Sequence, residues 1–210
     1  MQYVENGNAD YLFQCNEEKP NIFLIGDSIR RGYCKTVKDC LVDTAEVFYC
    51  DDNCRSTQYV IFSLRRWANQ FSAPEKVQLV LFNCGHWDVA QWNGYPYPLT
   101  SEGEYAKNIR MIIDLLRTFF PAAKLLFATT TPMNPNGILG VNPRTNEQIS
   151  RYNEIAKEIA TETQVEVLDL YAFTQDWPEE SFRDYCHFTE SAFAELGKEV
   201  AGRLAKYLPL

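Results

Sequence analysis

The chain has 210 residues, enough to bury one sizeable core, and no linker-like stretch divides it; a single domain over residues 21–210, preceded by a short extension over residues 1–20, is expected. Hydrophobic residues make up 46% and aromatic residues 14% of it, which excludes a disordered, fibrous or repeat protein. A formal charge of -8 and a pI near 4.9, without any basic stripe, argue against nucleic acid and anionic lipid surfaces as partners.

The first residues, MQYVENGNADYLFQCNEEKP, carry neither the basic start nor the apolar core of a secretory leader. No later run approaches the roughly 18 apolar residues of a membrane span. The expectation is a cytoplasmic protein with no membrane partner. The seven cysteines, Cys15, Cys34, Cys40, Cys50, Cys54, Cys84 and Cys186, form no CxxC pair and no metal-ligand spacing. They read as free thiols, mostly small buried hydrophobes, and no metal or cofactor is expected.

Along the chain, short apolar runs alternate with longer segments of helical period, the pattern of parallel strands joined by helical crossovers. Strands are expected at Ile22 to Ile25, Ala45 to Tyr49, Val77 to Phe82, Lys124 to Ala128 and Val165 to Leu168. Helix faces are expected from Val60, Leu64, Trp67 and Phe71; from Ile109, Ile112, Leu116 and Phe119; from Tyr152, Ile155 and Ile159; and from Phe193, Leu196, Val200 and Leu204. These faces would cover both sides of the sheet, giving an α/β class. Two connections, Asp88 to Gly103 and Thr129 to Asn146, are long and rich in turn formers. Each follows an expected strand, where the loops of an open α/β sheet build the ligand crevice.

Chemistry concentrates at two places. The run Ile22-Phe23-Leu24-Ile25-Gly26-Asp27-Ser28 is a buried strand entering a tight turn. Ser28 would then open a helix whose first N–H groups can stabilise an oxyanion. A plain helix N-cap would leave the same trace. In Asp184-Tyr185-Cys186-His187, an Asp and a His three residues apart can share a face on a helical turn, so that Asp184 fixes the His187 tautomer and leaves the other nitrogen for a serine hydroxyl. Thr189 and Glu190 read as the start of the last helix.

Gly26-Asp27-Ser28 after the first strand and Asp184-Tyr185-Cys186-His187 before the final helix resemble the first and last blocks of the SGNH, or GDSL, hydrolases. The resemblance implies a three-layer, flavodoxin-like sandwich around a five-stranded parallel sheet. It also implies a serine esterase or deacylase with Ser28, Asp184 and His187 as its triad. The middle blocks depart from the pattern. In Asn83-Cys84-Gly85-His86-Trp87-Asp88, Gly85 and Asp88 match while Trp87 stands where the family has Asn. After the second strand Asn53 occupies the neighbourhood of a family Gly. The oxyanion donors beside the Ser28 N–H are therefore open among Asn53, Asn83 and a backbone N–H near Gly85. His86 reads as a hydrogen-bonded structural residue or part of a pocket wall, and Cys84 or Cys186 as nucleophiles are disfavoured. Trp87, Trp92, Tyr95 and Tyr97 suit sugar rings as well as loop packing. The expected substrate is a small-molecule or glycan ester, with a small O-acyl group on a carbohydrate favoured. A non-catalytic carbohydrate-binding domain on the same fold is the alternative, and a dinucleotide or P-loop binder is disfavoured because neither glycine motif follows a strand.

Overall fold

The computed structural model describes residues 12–137 and 142–208. Five strands, β1 (Asn21–Ile25), β2 (Glu46–Tyr49), β3 (Val77–Phe82), β4 (Lys124–Ala128) and β5 (Glu166–Leu168), pair in parallel in the order β2-β1-β3-β4-β5. Ala45 and Val165, expected as strand residues, lie just outside the ladder, whose terminal pairs are Asn21–Glu46 and Leu126–Glu166. The helices are α1 (Ser28–Cys40), α2 (Thr57–Ala68), α3 (His86–Val89), α4 (Glu102–Phe119), α5 (Asn146–Glu162), α6 (Leu170–Thr174) and α7 (Glu190–Ala205).

Alternation along each strand sends neighbouring side chains to opposite faces, and this sorts the helices into two layers. Ile22 and Leu24 pack with Ile29, Tyr33 and Val37 of α1 and with Leu196, Val200 and Leu204 of α7. Phe23 and Ile25 pack instead with Val60, Leu64 and Trp67 of α2, Ile112 of α4 and Ile155 of α5. Because helices cover both faces, β1 is buried at every residue and, after Asn21, reads as a continuous apolar run. The fold is thus a three-layer α/β/α sandwich.

Two face residues fall elsewhere than the periodicity places them. Phe71 lies beyond the end of α2, in an isolated bridge with Phe13, where both rings join Phe23 and Phe48. Phe119 ends α4 only half-buried, and Phe120 takes the core position because the chain turns there. Phe13 also shows that the described part of the extension, residues 12–20, docks on the domain: its N–H donates to Gln70 O at 3.0 Å and its carbonyl accepts from Ser72 N at 2.9 Å. The rest of the extension lies outside the described residues.

The sheet order reverses direction about β1, whose neighbours are β2 on one side and β3 on the other. A crevice therefore opens at the carboxyl ends of these strands, where crossovers diverge to opposite faces. The turn after β1 delivers Ser28 to this point. On one side of it α1 and α7 lie close together, since a Cβ at Gly32 would overlap the Phe193 ring.

Candidate active site

Ser28 is the first residue of α1. The helix is capped by Asp27, whose Oδ1 accepts the Ile29 N–H at 2.9 Å, so the Ser28 N–H is among the first-turn donors without an intrahelical acceptor. The Ser28 hydroxyl lies 2.8 Å from His187 Nε2. His187 Nδ1 lies 2.9 Å from each oxygen of Asp184. A hydroxyl, an imidazole and a carboxylate thus stand in one hydrogen-bonded line, drawn from positions 159 residues apart in the chain.

Asp184 and His187 do not share a helical turn, as their spacing suggests; Asp184 lies in a run of bends over residues 183–186 and His187 just after it, in a loop closed by an antiparallel Phe182–Phe188 bridge. The spacing works through the backbone instead. Asp184 Oδ1 accepts the N–H groups of Cys186 at 3.0 Å and His187 at 2.8 Å, folding the loop around its own carboxylate. Burial raises the Asp184 pKa, but those two N–H groups and the His187 ring outweigh it and leave the carboxyl below its usual range. The loop is fixed from beneath by Phe188, whose ring meets Phe182 at 4.9 Å, Trp177 at 5.0 Å and Phe193 at 5.6 Å.

The oxyanion candidates separate sharply. Asn83 is buried, and its NH₂ group donates to Ala128 O at 2.8 Å and faces Thr130 Oγ1 at 3.4 Å. The expectation that it is available as a donor is therefore corrected: its side chain ties β3 to the end of β4. Gly85 opens α3, and a Cβ there would overlap Thr130 Oγ1, so its missing side chain serves close packing against the β4 exit. Asn53 is only half-buried. Its Oδ1 accepts the Arg55 N–H at 3.0 Å, and among the described residues its NH₂ donates to no protein group.

Two contacts hold the Asn53 segment beside the Gly26-Asp27-Ser28 turn. Cys54 N donates to Gly26 O at 3.1 Å. Arg30, buried on α1 with no carboxylate partner among the described residues, donates to Cys50 O at 2.7 Å and Asp52 O at 2.6 Å. A guanidinium thereby supplies the donors that a loop of exposed carbonyls lacks.

The third block has become a structural brace. Asp88 is fully buried and accepts from Thr57 N at 3.1 Å, Thr57 Oγ1 at 2.6 Å and Thr100 Oγ1 at 2.8 Å. It caps α2, whose own Ser56 makes no side-chain cap bond. Burial raises its pKa to about 6 despite those bonds. His86 is buried with Nε2 at 3.3 Å from Thr131 Oγ1, and burial, with Arg144 and His187 nearby, holds its pKa well below normal. It is held neutral. Trp87 stacks on Trp92 with centroids 4.4 Å apart. Tyr95 and Tyr97 are exposed and border, with Trp92, a cavity of about 430 Å³.

Arg144 is a residue that the sequence patterns do not single out. It is buried and makes no ion pair among the described residues. Its guanidinium lies over the Tyr185 ring at 5.5 Å and its Nη2 is 3.4 Å from Cys186 Sγ, so it grips the loop between Asp184 and His187. The backbone bond from Asn134 N to Tyr185 O, at 2.9 Å, grips the same loop. Only its place in the long Thr129 to Asn146 connection gives a hint of this role.

Asp184, Cys186 and His187 also offer donor atoms within 4.8 Å of one another, the spacing of a metal site. The chemistry of the set does not suit one: Asp184 is already turned onto two backbone N–H groups and the imidazole, and burial raises the Cys186 thiol to about 11. The same shift makes Cys186 a poor nucleophile. A groove of about 500 Å³ opens onto Ser28 and His187.

The model of the GDSL-like lipase/acylhydrolase family matches residues 24–194. A GDSL esterase/lipase of Arabidopsis thaliana is 27% identical over 205 residues, covering 87% of this chain and 63% of its own length. The chain thus spans less than two thirds of that relative. Among solved structures, the lipase/acylhydrolase from Enterococcus faecalis superposes with a TM-score of 0.70 at 19% identity over 90% of this chain and 97% of that one. Est24, a carbohydrate acetylesterase from Sinorhizobium meliloti, gives 0.68 at 15% identity over 90% and 100%. These two likenesses speak to the fold, whereas the match over residues 24–194 includes both Ser28 and His187. By that match the chain belongs to the GDSL-like lipase/acylhydrolase family.

Proposed function

We propose that this protein is a serine esterase that removes a small O-acyl group, such as acetyl, from a carbohydrate. The observation that carries the reading is the line Ser28 Oγ, His187 and Asp184, at 2.8 and 2.9 Å, at the point where the sheet order reverses. His187 Nε2 takes the Ser28 proton as Oγ attacks the ester carbonyl, and Asp184 holds Nδ1–H so that the imidazole meets the serine in the accepting tautomer. In this reading the Ser28 N–H and the Asn53 amide, which is held beside the Ser28 turn by the Cys54 N to Gly26 O bond, are the donors to the developing oxyanion. The imidazolium then returns its proton to the leaving alcohol, and water repeats the cycle on the acyl-enzyme. The open groove of about 500 Å³ beside Ser28 and the exposed rings of Tyr95 and Tyr97 support a sugar partner, and Est24, named as a carbohydrate acetylesterase, supports a short acyl group.

The test is labelling by a fluorophosphonate together with turnover of p-nitrophenyl acetate. Ser28→Ala and His187→Ala should each remove nearly all turnover while folding survives, and Ser28→Ala should lose the label. Asp184→Ala should cost less, since it orients the imidazole without touching substrate. Wild-type protein that neither labels nor turns over would favour the alternative of a non-catalytic binding domain.

A further inference from the structure

We propose that the groove beside Ser28 is a subsite for an acidic sugar, whose carboxylate is held by Arg31 and Arg183. The groove lines one side of the reacting pair, and both guanidiniums border it. Arg31 stands three residues after Ser28 on α1, one turn along the same face, and among the described residues its exposed side chain makes no ion pair or hydrogen bond. Arg183 lies just before the Asp184 loop, and its nearest carboxylate, Asp184 Oδ2, is 3.7 Å away and already engaged by His187. In a chain of net charge -8, these two guanidiniums offset Asp184 and Glu190 beside the Ser28 hydroxyl and leave the groove two cationic donors that an anion can meet. Arginine also presents the planar fork that a carboxylate accepts in pairs.

The rest of the groove fits a sugar ring better than a simple acid. Glu190, the first residue of α7, borders it and pairs with no cation among the described residues, so its carboxylate is free to accept sugar hydroxyls. Phe193, whose ring packs directly against Gly32 of α1, and half-buried Ala194 supply the apolar side of the groove. A hexuronate offers those three features together: a carboxylate, hydroxyls and an apolar ring face.

The inference rests on Ser28 being the nucleophile, and the experiment keeps the two apart. Acetate release from a monoacetylated methyl glucuronoside is compared with release from the matching methyl glucoside. This is done for wild type, Arg31→Gln, Arg183→Gln and, as a control, Lys35→Gln, which removes an exposed cation of α1 that pairs with Asp39 instead. Wild type should favour the glucuronoside in kcat/KM. Each arginine variant should shrink that preference about tenfold, mainly through KM, the scale of one charge-assisted hydrogen bond. Lys35→Gln should keep the preference. Equal rates for both esters in wild type, or an unchanged ratio in both arginine variants, would overturn the subsite. Failure of wild type on both sugars and on p-nitrophenyl acetate would overturn the esterase reading alone. The subsite is then read by equilibrium binding of glucuronate, which must weaken in Arg31→Gln and Arg183→Gln for the proposal to stand.

Discussion

Asn53 and Asn83 are chemically identical side chains at the ends of neighbouring crossovers, and the structure assigns them opposite kinds of importance. Asn53→Ala removes an amide whose NH₂ donates to no protein group among the described residues, together with an Oδ1 that accepts the Arg55 N–H at 3.0 Å. Its loss should therefore appear in the transition state, at about a hundredfold in kcat with KM nearly unchanged, the usual cost of one side-chain oxyanion donor. The accompanying loss of stability should be about 1 kcal/mol or less, since the turn bond is solvent-exposed. Asn53→Asp refines the test, because it keeps the Oδ1 acceptor for Arg55 while deleting the donor, and should lose kcat without losing the turn.

Asn83→Ala acts the other way. It strips Ala128 O of a 2.8 Å donor inside a buried region, which should cost about 1–3 kcal/mol and lower Tm by several degrees, at about 2–4 °C per kcal/mol for a chain of this size. Its kcat should stay within a few-fold of wild type. The assay is p-nitrophenyl acetate kinetics paired with thermal unfolding on the same preparations. If Asn53→Ala and Asn53→Asp remain within a few-fold of wild type while Asn83→Ala collapses kcat at unchanged Tm, the donor lies on the third block and the reasoning from free amides is refuted.

Other consequences follow from the brace around the site. Arg144→Ala should lower kcat at least about tenfold because the Tyr185–Cys186 segment loses its clamp, with Arg144→Lys recovering part of it; equal KM and kcat losses in both variants would argue for a general folding defect instead. Asp88, with a folded pKa of about 6 against an ordinary 3.8, is held in the native state more easily as the acid than as the carboxylate, so its contribution is most favourable at low pH and declines as pH rises through this window. The neutral Asp88→Asn protein should consequently gain on wild type, by up to about 3 kcal/mol, as urea midpoints are compared from about pH 4 to about pH 7; a constant difference would mean that Asp88 titrates normally. Activity should survive EDTA, since Asp184 and His187 are already committed to each other; loss on chelation, restored by a divalent ion, would contradict that.

The sequence by itself determined the sheet and the Ser28, Asp184 and His187 that the fold brings into line, because both are written locally. A strand buried on both faces reads as a largely apolar run, so Ile22 to Ile25 and Val77 to Phe82, the latter broken only by the exposed Gln78, announce themselves, and the turn Gly26-Asp27-Ser28 follows directly from the first. The Asp184 to His187 spacing likewise names its pair, although through an Asp-centred backbone turn rather than through a helix. What only the tertiary structure decided are the partners that arrive from another layer. Nothing near Asn83 in the chain says that its amide turns to Ala128, 45 positions later, nor does anything near Asp88 say that it caps a helix beginning at Thr57. Arg30 and Arg144 belong to the same class: one ties the β2 exit to α1, the other holds the histidine loop, and each gains its meaning from carbonyls, a ring or a thiol brought near by packing. Periodicity records which side of an element is buried, whereas the direction of a buried donor depends on which orphaned acceptor the fold places beside it.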